Sequence, residues 1–491
     1  MRGLTLPGRV SEHAGTIDLP PLERLDGDGL EAIHEASMHI IETLGIQLDH
    51  ERARAVFRAC GAEVGDDDVV TIPRDVIEES LASAPAEFVL HGRNPERNVT
   101  VGGDGPPVRA PGYGPPYVYT LGEGRRRSRL SDYELLTKLA HVEDVINCTG
   151  YSVCEPTDVD GPEKHFAMLK RSLALSDQPV MATARGGTRA RECLDMVGIA
   201  VGDRELAEPY VTGLVNTVPP RRIDAEMLAG LMTFAEAGQP LLVSSFTMAG
   251  ASGPEALPAS IAQANAENLV GIALAQQLNP GTPVVYGVPT SNIDTRYGSL
   301  TIGSPESALV VAVAAQLGRY YGVPTRAGGS LTDAKTLDYQ SGFESMLVGA
   351  VTDMADVDYV LHAAGILESY ETVSPEKFVL DCEAMRYLDR FRRGFSFDPD
   401  DLGLERIAEV EPAGHFLDAA RPLGESEAFY HPDVIDKRSH SDWAEDGRRS
   451  TIELARDRVE RQLEAYEEPR LPPDVERDLE AYVAARGRAV E

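Results

Sequence analysis

Short apolar runs alternate with longer amphipathic segments through most of the chain. Eight runs have the character of buried strands, at 108–119, 145–153, 179–184, 210–215, 241–246, 284–287, 325–327 and 358–362. Segments with helical periodicity lie between most of them, at 131–142, 162–176, 189–202, 224–237, 259–278, 305–321 and 340–354. Apolar strands that are each followed by a helix are typical of a parallel sheet with helices outside it.

About eight such units over roughly 260 residues predict an α/β fold of the (β/α)8 TIM-barrel type. The first strand is the weakest of the eight because Gly and Pro interrupt it, so an open sheet of seven strands is the alternative. The segments that flank the barrel read as helical, with predicted helices at 30–44, 52–60 and 74–83 before it and at 448–467 and 473–486 after it. We therefore expect a helical N-terminal region at 1–105, a TIM-barrel catalytic domain at 106–400 and a helical C-terminal extension at 401–491.

Residues 324–369 form the stretch in which polar side chains are most concentrated at strand ends. The pattern predicts a strand, the Gly328-Gly329 turn, a helix, a second strand and a further turn at Gly365. Ser, Thr, Asp and His side chains follow both strands, and in parallel sheets the carboxyl ends of the strands are where ligands bind. We expect this stretch to supply two neighbouring units of one site.

The chain has 491 residues and a net charge of −33, and only six of its 46 basic residues are Lys. An acidic, Lys-poor surface is typical of a halophilic protein, because exposed carboxylates hold water when salt screens repulsion. A surface adapted to a cationic partner is the alternative. Nucleic acid is not expected to bind, because the one notable basic cluster, at 125–129, lacks interleaved aromatic residues.

The five cysteines form no CxxC pair and no Cys/His pair at metal-ligand spacing, so no metal site is expected. The odd count and the lack of a secretory segment favour a cytoplasmic location. The longest apolar stretch, 308–317, is too short to span a bilayer, so no membrane association is expected.

Candidate site residues lie at the predicted strand ends. The sequence PGYGPPYVY at 111–119 is an aromatic group that includes Tyr113 and Tyr117, while no GxSxG motif or metal-ligand cluster appears. An aromatic pocket beside a carboxylate suits a quaternary ammonium ion, which binds ring faces through cation–π contact. The remaining residues assigned to substrate binding are Arg185, Asn216, Asp333, Gln340, Phe343 and Tyr370.

Two residues are assigned catalytic roles, and each has a structural alternative. Glu267 stands among apolar neighbours in a predicted helix, where a buried carboxylate is unfavourable unless it is paired. It could instead lie on the polar stripe of that helix. His362 follows a strand and could be a hydrogen-bonded core histidine. The tyrosines could form a lid over the barrel, and Gln340 could cap a helix.

Several motifs resemble the trimethylamine methyltransferase family. They are GGSLTDAKTLDYQSGFES at 328–345, LHAAGILES at 361–369, QANAENLVGIALAQQLNPG at 263–281, PESALVVAVAAQLGRYYGVPTRAGG at 305–329 and the tail at 442–483. The resemblance implies a TIM barrel that moves a methyl group from an amine to Co(I) of a separate corrinoid protein. It also implies that no cofactor is bound tightly, because the corrinoid arrives with its protein. We expect a homo-oligomer.

Founding members of that family carry pyrrolysine near the segment that matches 327–342, whereas this chain has standard residues there. The difference disfavours trimethylamine and favours a quaternary amine such as glycine betaine, which already bears the positive charge and leaves as a neutral amine. In the resemblance, Glu267 matches the family's barrel glutamate. Tyr113 and His362 fall where betaine-using relatives place substrate contacts. Arg185, Asn216 or His362 could receive the betaine carboxylate.

Two other functions remain open at this point. One is a hydrolase or lyase on the same barrel, which would need a metal or a cluster of bases. The other is a non-catalytic betaine-binding protein, which would keep the aromatic pocket without a protein partner.

Overall fold

The computed structural model describes residues 20–159, 161, 164–395, 402–416 and 429–487. The helices within these ranges are α1 (Gly27–His39), α2 (Glu51–Ala59), α3 (Arg74–Ser83), α4 (Leu130–Val142), α5 (Lys164–Leu175), α6 (Gly187–Val201), α7 (Ala225–Glu236), α8 (Leu257–Leu278), α9 (Pro305–Tyr321), α10 (Tyr339–Met354), α11 (Pro375–Arg393), α12 (Leu404–Ala408), α13 (His440–Glu445), α14 (Thr451–Ala465) and α15 (Pro473–Gly487).

The strands are mostly short. They are β1 (Ile46–Leu48), β2 (Glu63–Val64), β3 (Val69–Thr71), β4 (Glu87–Leu90), β5 (Val99–Gly102), β6 (Val108–Arg109), β7 (Tyr117–Thr120), β8 (Gly124–Arg127), β9 (Val180–Thr183), β10 (Val211–Asn216), β11 (Arg222–Ile223), β12 (Leu241–Ser244), β13 (Met248–Ala249), β14 (Val284–Gly287), β15 (Ser291–Asp294), β16 (Ser299–Thr301), β17 (Thr325–Arg326), β18 (Tyr359–Val360), β19 (Ile366–Leu367) and β20 (Thr372–Val373).

The core is a seven-stranded sheet in the order β6-β18-β17-β14-β12-β10-β9, in which every neighbouring pair is parallel. The inner strands β10, β12 and β14 are almost wholly buried. Helices follow most strands, as the alternating pattern predicts for a parallel sheet. The carboxyl ends of all seven strands therefore lie at the same end of the sheet.

The predicted strand at 145–153 is not a strand in the structure. The N–H groups of Asn147 and Cys148 donate to the Arg109 carbonyl (3.2 and 3.3 Å), which belongs to edge strand β6. On the other side, the Thr149 N–H donates to the Pro179 carbonyl and the Met181 N–H donates to the Gly150 carbonyl (3.1 and 3.2 Å). This segment thus contacts both edges of the sheet through isolated hydrogen bonds, without a regular ladder.

The predicted strand at 108–119 divides into two elements with different partners. Its first part, β6, belongs to the core sheet, while β7 forms a hairpin with β8 and also pairs with β20. The proline and glycine residues between the two parts separate them, since proline cannot donate to a ladder.

The region before the core sheet is not purely helical. It contains α1, α2 and α3 close to their predicted positions, but β1 to β5 lie there as well. The sequence pattern also missed α11, in which many charged residues obscure the apolar stripe. Beyond it, α14 packs on α4 and α11, and α15 packs on α6. The predicted boundary at 400/401 lies outside the described residues.

Within the described ranges, no helix is both long and apolar enough to cross a membrane.

Candidate functional site

The centre of the candidate site is a contact between Arg326 and His362 at the carboxyl ends of two neighbouring strands. Arg326 is the last residue of β17, and His362 lies two residues beyond β18. The guanidinium Nη2 is 3.1 Å from His362 Nδ1. Both residues are buried, with 3% and 7% of their surfaces exposed. The short strands and the glycine turn after β17 bring these two polar side chains together inside the protein.

The backbone around His362 holds the imidazole in place. His362 has a φ of +70°, and its N–H donates to the Pro111 carbonyl while its own carbonyl accepts from the Ser330 N–H (both 3.2 Å). Gly329 makes the close approach possible: it has a φ of +122°, and a Cβ there would lie 2.3 Å from the His362 carbonyl oxygen. A glycine is therefore required at this point of the turn.

His362 is a neutral imidazole in this setting. Because arginine can only donate, Nδ1 must accept, and the ring proton then lies on Nε2, which is 3.4 Å from the Tyr113 carbonyl. Burial, followed by the neighbouring Arg326 charge, holds the pKa of His362 well below its ordinary value of 6.5. Near neutral pH, His362 therefore lines the site as an uncharged, hydrogen-bonded side chain.

Arg326 has a buried charge for which no described residue supplies a carboxylate. Its Nε has no hydrogen-bond partner among the described residues, and its Nη2 bonds to His362. Burial lowers the pKa of this guanidinium from its ordinary value. A desolvated cation without a counter-ion is unfavourable by several kcal/mol. The site therefore offers a ready place for an anionic group.

Aromatic rings lie next to this pair. The Tyr370 ring is centred 4.5 Å from the His362 ring, and the Phe246 ring meets Tyr370 edge-on at 5.9 Å. Tyr113 and Tyr151 form a second pair at 6.3 Å. Tyr113, Phe246 and Tyr370 lie in the segments after β6, β12 and β19, and Tyr151 lies in the segment between α4 and α5. All four rings can present π faces to a cation.

The backbone that carries Tyr370 is unusual. Glu368, Ser369 and Tyr370 are three consecutive residues with positive φ, at +52°, +52° and +76°. Asp333 helps to hold this turn, because its carboxylate accepts from the Ser369 hydroxyl at 2.7 Å and from the N–H groups of Ile302 and Gly303. Backbone strain of this kind is concentrated at functional sites. Asp333 thus acts on the site through the Tyr370 turn.

Glu267 lies in α8 with no exposed surface, and four donors surround its carboxylate. Oε2 accepts from the hydroxyls of Thr217 (2.5 Å) and Ser245 (2.8 Å), while Oε1 accepts from the Arg221 N–H (2.7 Å) and the Gln263 amide (3.1 Å). Burial raises its pKa, and the four hydrogen bonds oppose that rise. Glu267 therefore joins the ends of β10 and β12 just before Phe246.

The structure brings together only part of the predicted set. Tyr113 and Tyr370 both lie next to His362. Asp333 and Glu267 bind the segments that carry Tyr370 and Phe246. Asn216, the last residue of β10, is half-buried beside the Thr217 that binds Glu267.

Four predicted substrate-binding residues lie elsewhere. Arg185 has a 66% exposed side chain that pairs with Glu226. The Tyr117 ring is covered by the guanidinium groups of Arg125 and Arg127 on the β7–β8 hairpin. Gln340 donates to Glu344 on the surface of α10, and Phe343 lies on the outer face of the same helix with 59% of its surface exposed. A position at a strand end or a helix start does not determine whether the side chain points into the site or away from it.

Arg326 is the residue that reasoning from sequence left out. A signal for it exists, because an arginine inside the short apolar run VPTRAGG must be buried with the strand that carries it. Among the described residues, no group of three or more His, Cys, Asp or Glu side chains is arranged to hold a metal ion.

Comparison with known proteins agrees with this architecture. A family model described as trimethylamine methyltransferase (MTTB) matches residues 9–491. Glycine betaine methyltransferase of Desulfitobacterium hafniense is 40% identical over 96% of this chain and 98% of its own. Proline betaine:corrinoid methyltransferase of Eubacterium limosum is 31% identical over 80% of this chain and 83% of its own.

Among solved structures, the monomethylamine methyltransferase of Methanosarcina barkeri has a similar fold. It has a TM-score of 0.50 and 11% sequence identity, over 76% of each chain. The match of the family model over nearly the whole sequence, together with the 40% identical relative, shows that this chain belongs to the trimethylamine methyltransferase (MTTB) family of methyltransferases.

Proposed function

We propose that this enzyme transfers a methyl group from a carboxylated quaternary amine, of the glycine betaine class, to the Co(I) of a corrinoid protein. Its similarity to the glycine betaine and proline betaine methyltransferases supports this substrate class and this kind of partner. The observation that carries the proposal is the buried Arg326 guanidinium, which faces no carboxylate of the described chain.

A betaine fits both halves of the site. Its carboxylate would pair with Arg326 through charge-assisted hydrogen bonds and remove the cost of an isolated buried charge. Its trimethylammonium group would then lie toward the rings of Tyr370, Phe246 and Tyr113, which attract a cation through their faces. The Arg326 charge would repel a quaternary amine that lacks a carboxylate, such as choline.

The chemistry needs no proton from the protein. The N–CH₃ bond breaks, its electron pair stays on nitrogen, and the methyl carbon forms its new bond with the electron pair of Co(I). The other product is a neutral tertiary amine. The residues of the site would orient the N–CH₃ bond toward Co(I) of the partner protein and keep water away.

The two residues predicted to be catalytic fit supporting roles in this scheme. A neutral His362 holds the Arg326 guanidinium through Nδ1 and adds no positive charge beside the ammonium group. Glu267 has its acceptor positions taken by four donors, so we assign it the positioning of the strand ends below Phe246.

Closure of the sheet into a barrel is part of the proposal. Segment 147–150 would take the place of the eighth strand, since it hydrogen-bonds to residues at both edges of the seven-stranded sheet. We retain the division into an N-terminal region, a barrel and a C-terminal extension, with α1 and α3 packed on α8 and α14 packed on α4 and α11. A corrinoid brought by the partner protein and a cytoplasmic location complete the proposal.

The test is methyl transfer to cob(I)alamin or a reduced corrinoid protein without oxygen, followed by the absorbance change from Co(I) to methyl-Co(III). Glycine betaine should give the change, while choline and trimethylamine should not. If no carboxylated quaternary amine gives methyl-Co(III) with either acceptor, the proposal is wrong. Calorimetric binding of betaine without turnover under those conditions would favour a non-catalytic binding protein instead.

A further inference from the structure

Helix α10 is far more exposed than the helices next to it. Only four of its 16 residues are buried, and Val348 is the one large apolar residue among them. By contrast, α9 buries eleven of 17 residues and α8 buries 17 of 22. A helix that packs on a sheet normally turns its apolar stripe inward. The outward direction of the large apolar side chains of α10 therefore needs an explanation.

Those side chains form one continuous surface, which we call the α10 face. It consists of Tyr339, Phe343, Met346 and Met354, with exposures of 87%, 59%, 40% and 39%. Their spacing places all four within a sector of about 80° of the helix circumference, opposite the buried residues. The Tyr339 and Phe343 rings are stacked at 6.1 Å. Contiguous exposed apolar surface of this kind marks an interaction site.

The α10 face also lacks charge, in a chain whose net charge is −33. The helix has two carboxylates and no basic residue, and both carboxylates are engaged away from this face. Glu344 accepts from the Thr332 hydroxyl and the Asp333 N–H (2.7 and 2.8 Å). The Asp353 side chain is 9% exposed and lies 3.8 Å from the guanidinium groups of both Arg109 and Arg392.

This charge distribution indicates the kind of partner. An oppositely charged partner would be recognised by a rim of charge, whereas a partner with the same strong negative charge can approach only where charge is absent. A second copy of this chain is such a partner. We propose that the α10 face is the self-association surface of the protein, packed against the α10 face of a second copy about a two-fold axis.

The size of the surface supports a wider contact centred on this helix. The 16-residue helix is about 24 Å long and about 10 Å wide. Its outer face alone therefore offers roughly 240 Å², less than the roughly 800 Å² per partner that a stable interface buries. Phe391 of α11 is 61% exposed and adds apolar surface at the far end. The adjacent Arg392 binds the Asp353 carbonyl at 2.9 Å, which places that part of α11 beside the end of α10. Gly342, where a Cβ would have no atom within 4 Å, and the small Ala350 in the middle of the face leave room for a second helix to approach closely.

The experiment compares molar mass by light scattering for the wild-type protein, the Phe343→Glu/Met346→Glu double variant and a Tyr297→Glu control. Tyr297 is 79% exposed in the turn between β15 and β16, so the control also replaces an exposed apolar side chain with a carboxylate, but away from α10. The wild type and the control should have at least twice the mass of one chain. The double variant should have half the wild-type mass, with an unchanged far-ultraviolet circular dichroism spectrum.

A wild-type protein with the mass of one chain, or a double variant of unchanged mass, would overturn the inference. If the wild type has the mass of one chain and the double variant loses methyl transfer, the result would assign the α10 face to the methyl acceptor instead. The masses are measured without substrate or corrinoid, so their outcome does not depend on the proposed reaction.

Discussion

The guanidinium of Arg326 donates to Nδ1 of His362 at 3.1 Å, and no carboxylate of the described chain faces it. This relationship determines two properties of the site. Together with burial, it keeps the imidazole neutral with its proton on Nε2, and it leaves a buried positive charge available to a ligand.

Replacing Arg326 with glutamine should weaken substrate binding. Hydrogen bonds to charged groups contribute about 1.5–3 kcal/mol, so the KM for glycine betaine should rise by roughly 10- to 150-fold. Steady-state kinetics with cob(I)alamin as acceptor measure the change. The matched control is Arg185→Gln, because Arg185 is exposed and paired with Glu226. An unchanged KM in Arg326→Gln would remove the carboxylate contact from the mechanism.

The low pKa of His362 predicts how stability depends on pH. The native imidazole stays neutral while the unfolded one takes up a proton near its ordinary value of 6.5. The unfolded state therefore binds more protons below that pH, and stability falls as the pH decreases from about 6.5 toward the native pKa, by up to about 1.4 kcal/mol per pH unit for this group.

The His362→Asn variant isolates this contribution, because His34, His50 and His141 also have lowered pKa values and remain in both proteins. Unfolding temperatures measured between pH 7 and pH 5 should fall less steeply in the variant than in the wild type. Parallel curves for the two proteins would show that His362 titrates normally in the native state.

Replacing Tyr370 should separate its ring from its hydroxyl. A ring face near a desolvated cation contributes about 0.5–2 kcal/mol, so Tyr370→Ala should raise the KM for glycine betaine by roughly 2- to 30-fold. Tyr370→Phe keeps the ring beside His362 and should remain within about twofold of the wild type. Equal losses in both variants would contradict a role for the ring face.

Replacing Glu267 with glutamine should act mainly on stability. An amide cannot accept from all four donors around this position, so the free energy of unfolding should fall by about 1–3 kcal/mol. Thermal unfolding measures this loss, and the KM for glycine betaine should change little. The control is Glu226→Gln, a substitution of an exposed carboxylate. An unchanged unfolding temperature together with a large fall in kcat would instead place Glu267 on the reacting groups.

The sequence by itself determined the periodic elements and the order in which they follow each other. The helices α3 and α9 begin and end at their predicted residues, and α4, α7, α8 and α10 differ from prediction by one or two residues. Apolar periodicity is a local property, so a single chain reports it well. The motifs likewise placed the chain in its family.

Only the tertiary structure decided which polar residues meet. Arg326 and His362 are 36 residues apart, and their contact depends on the register of β17 beside β18. The same holds for Phe343, which lies on the outer face of α10, and for Arg185, which binds a surface glutamate. Periodicity shows that one face of an element is apolar, but the packing of the whole sheet decides where that face points and which buried charge lacks a partner.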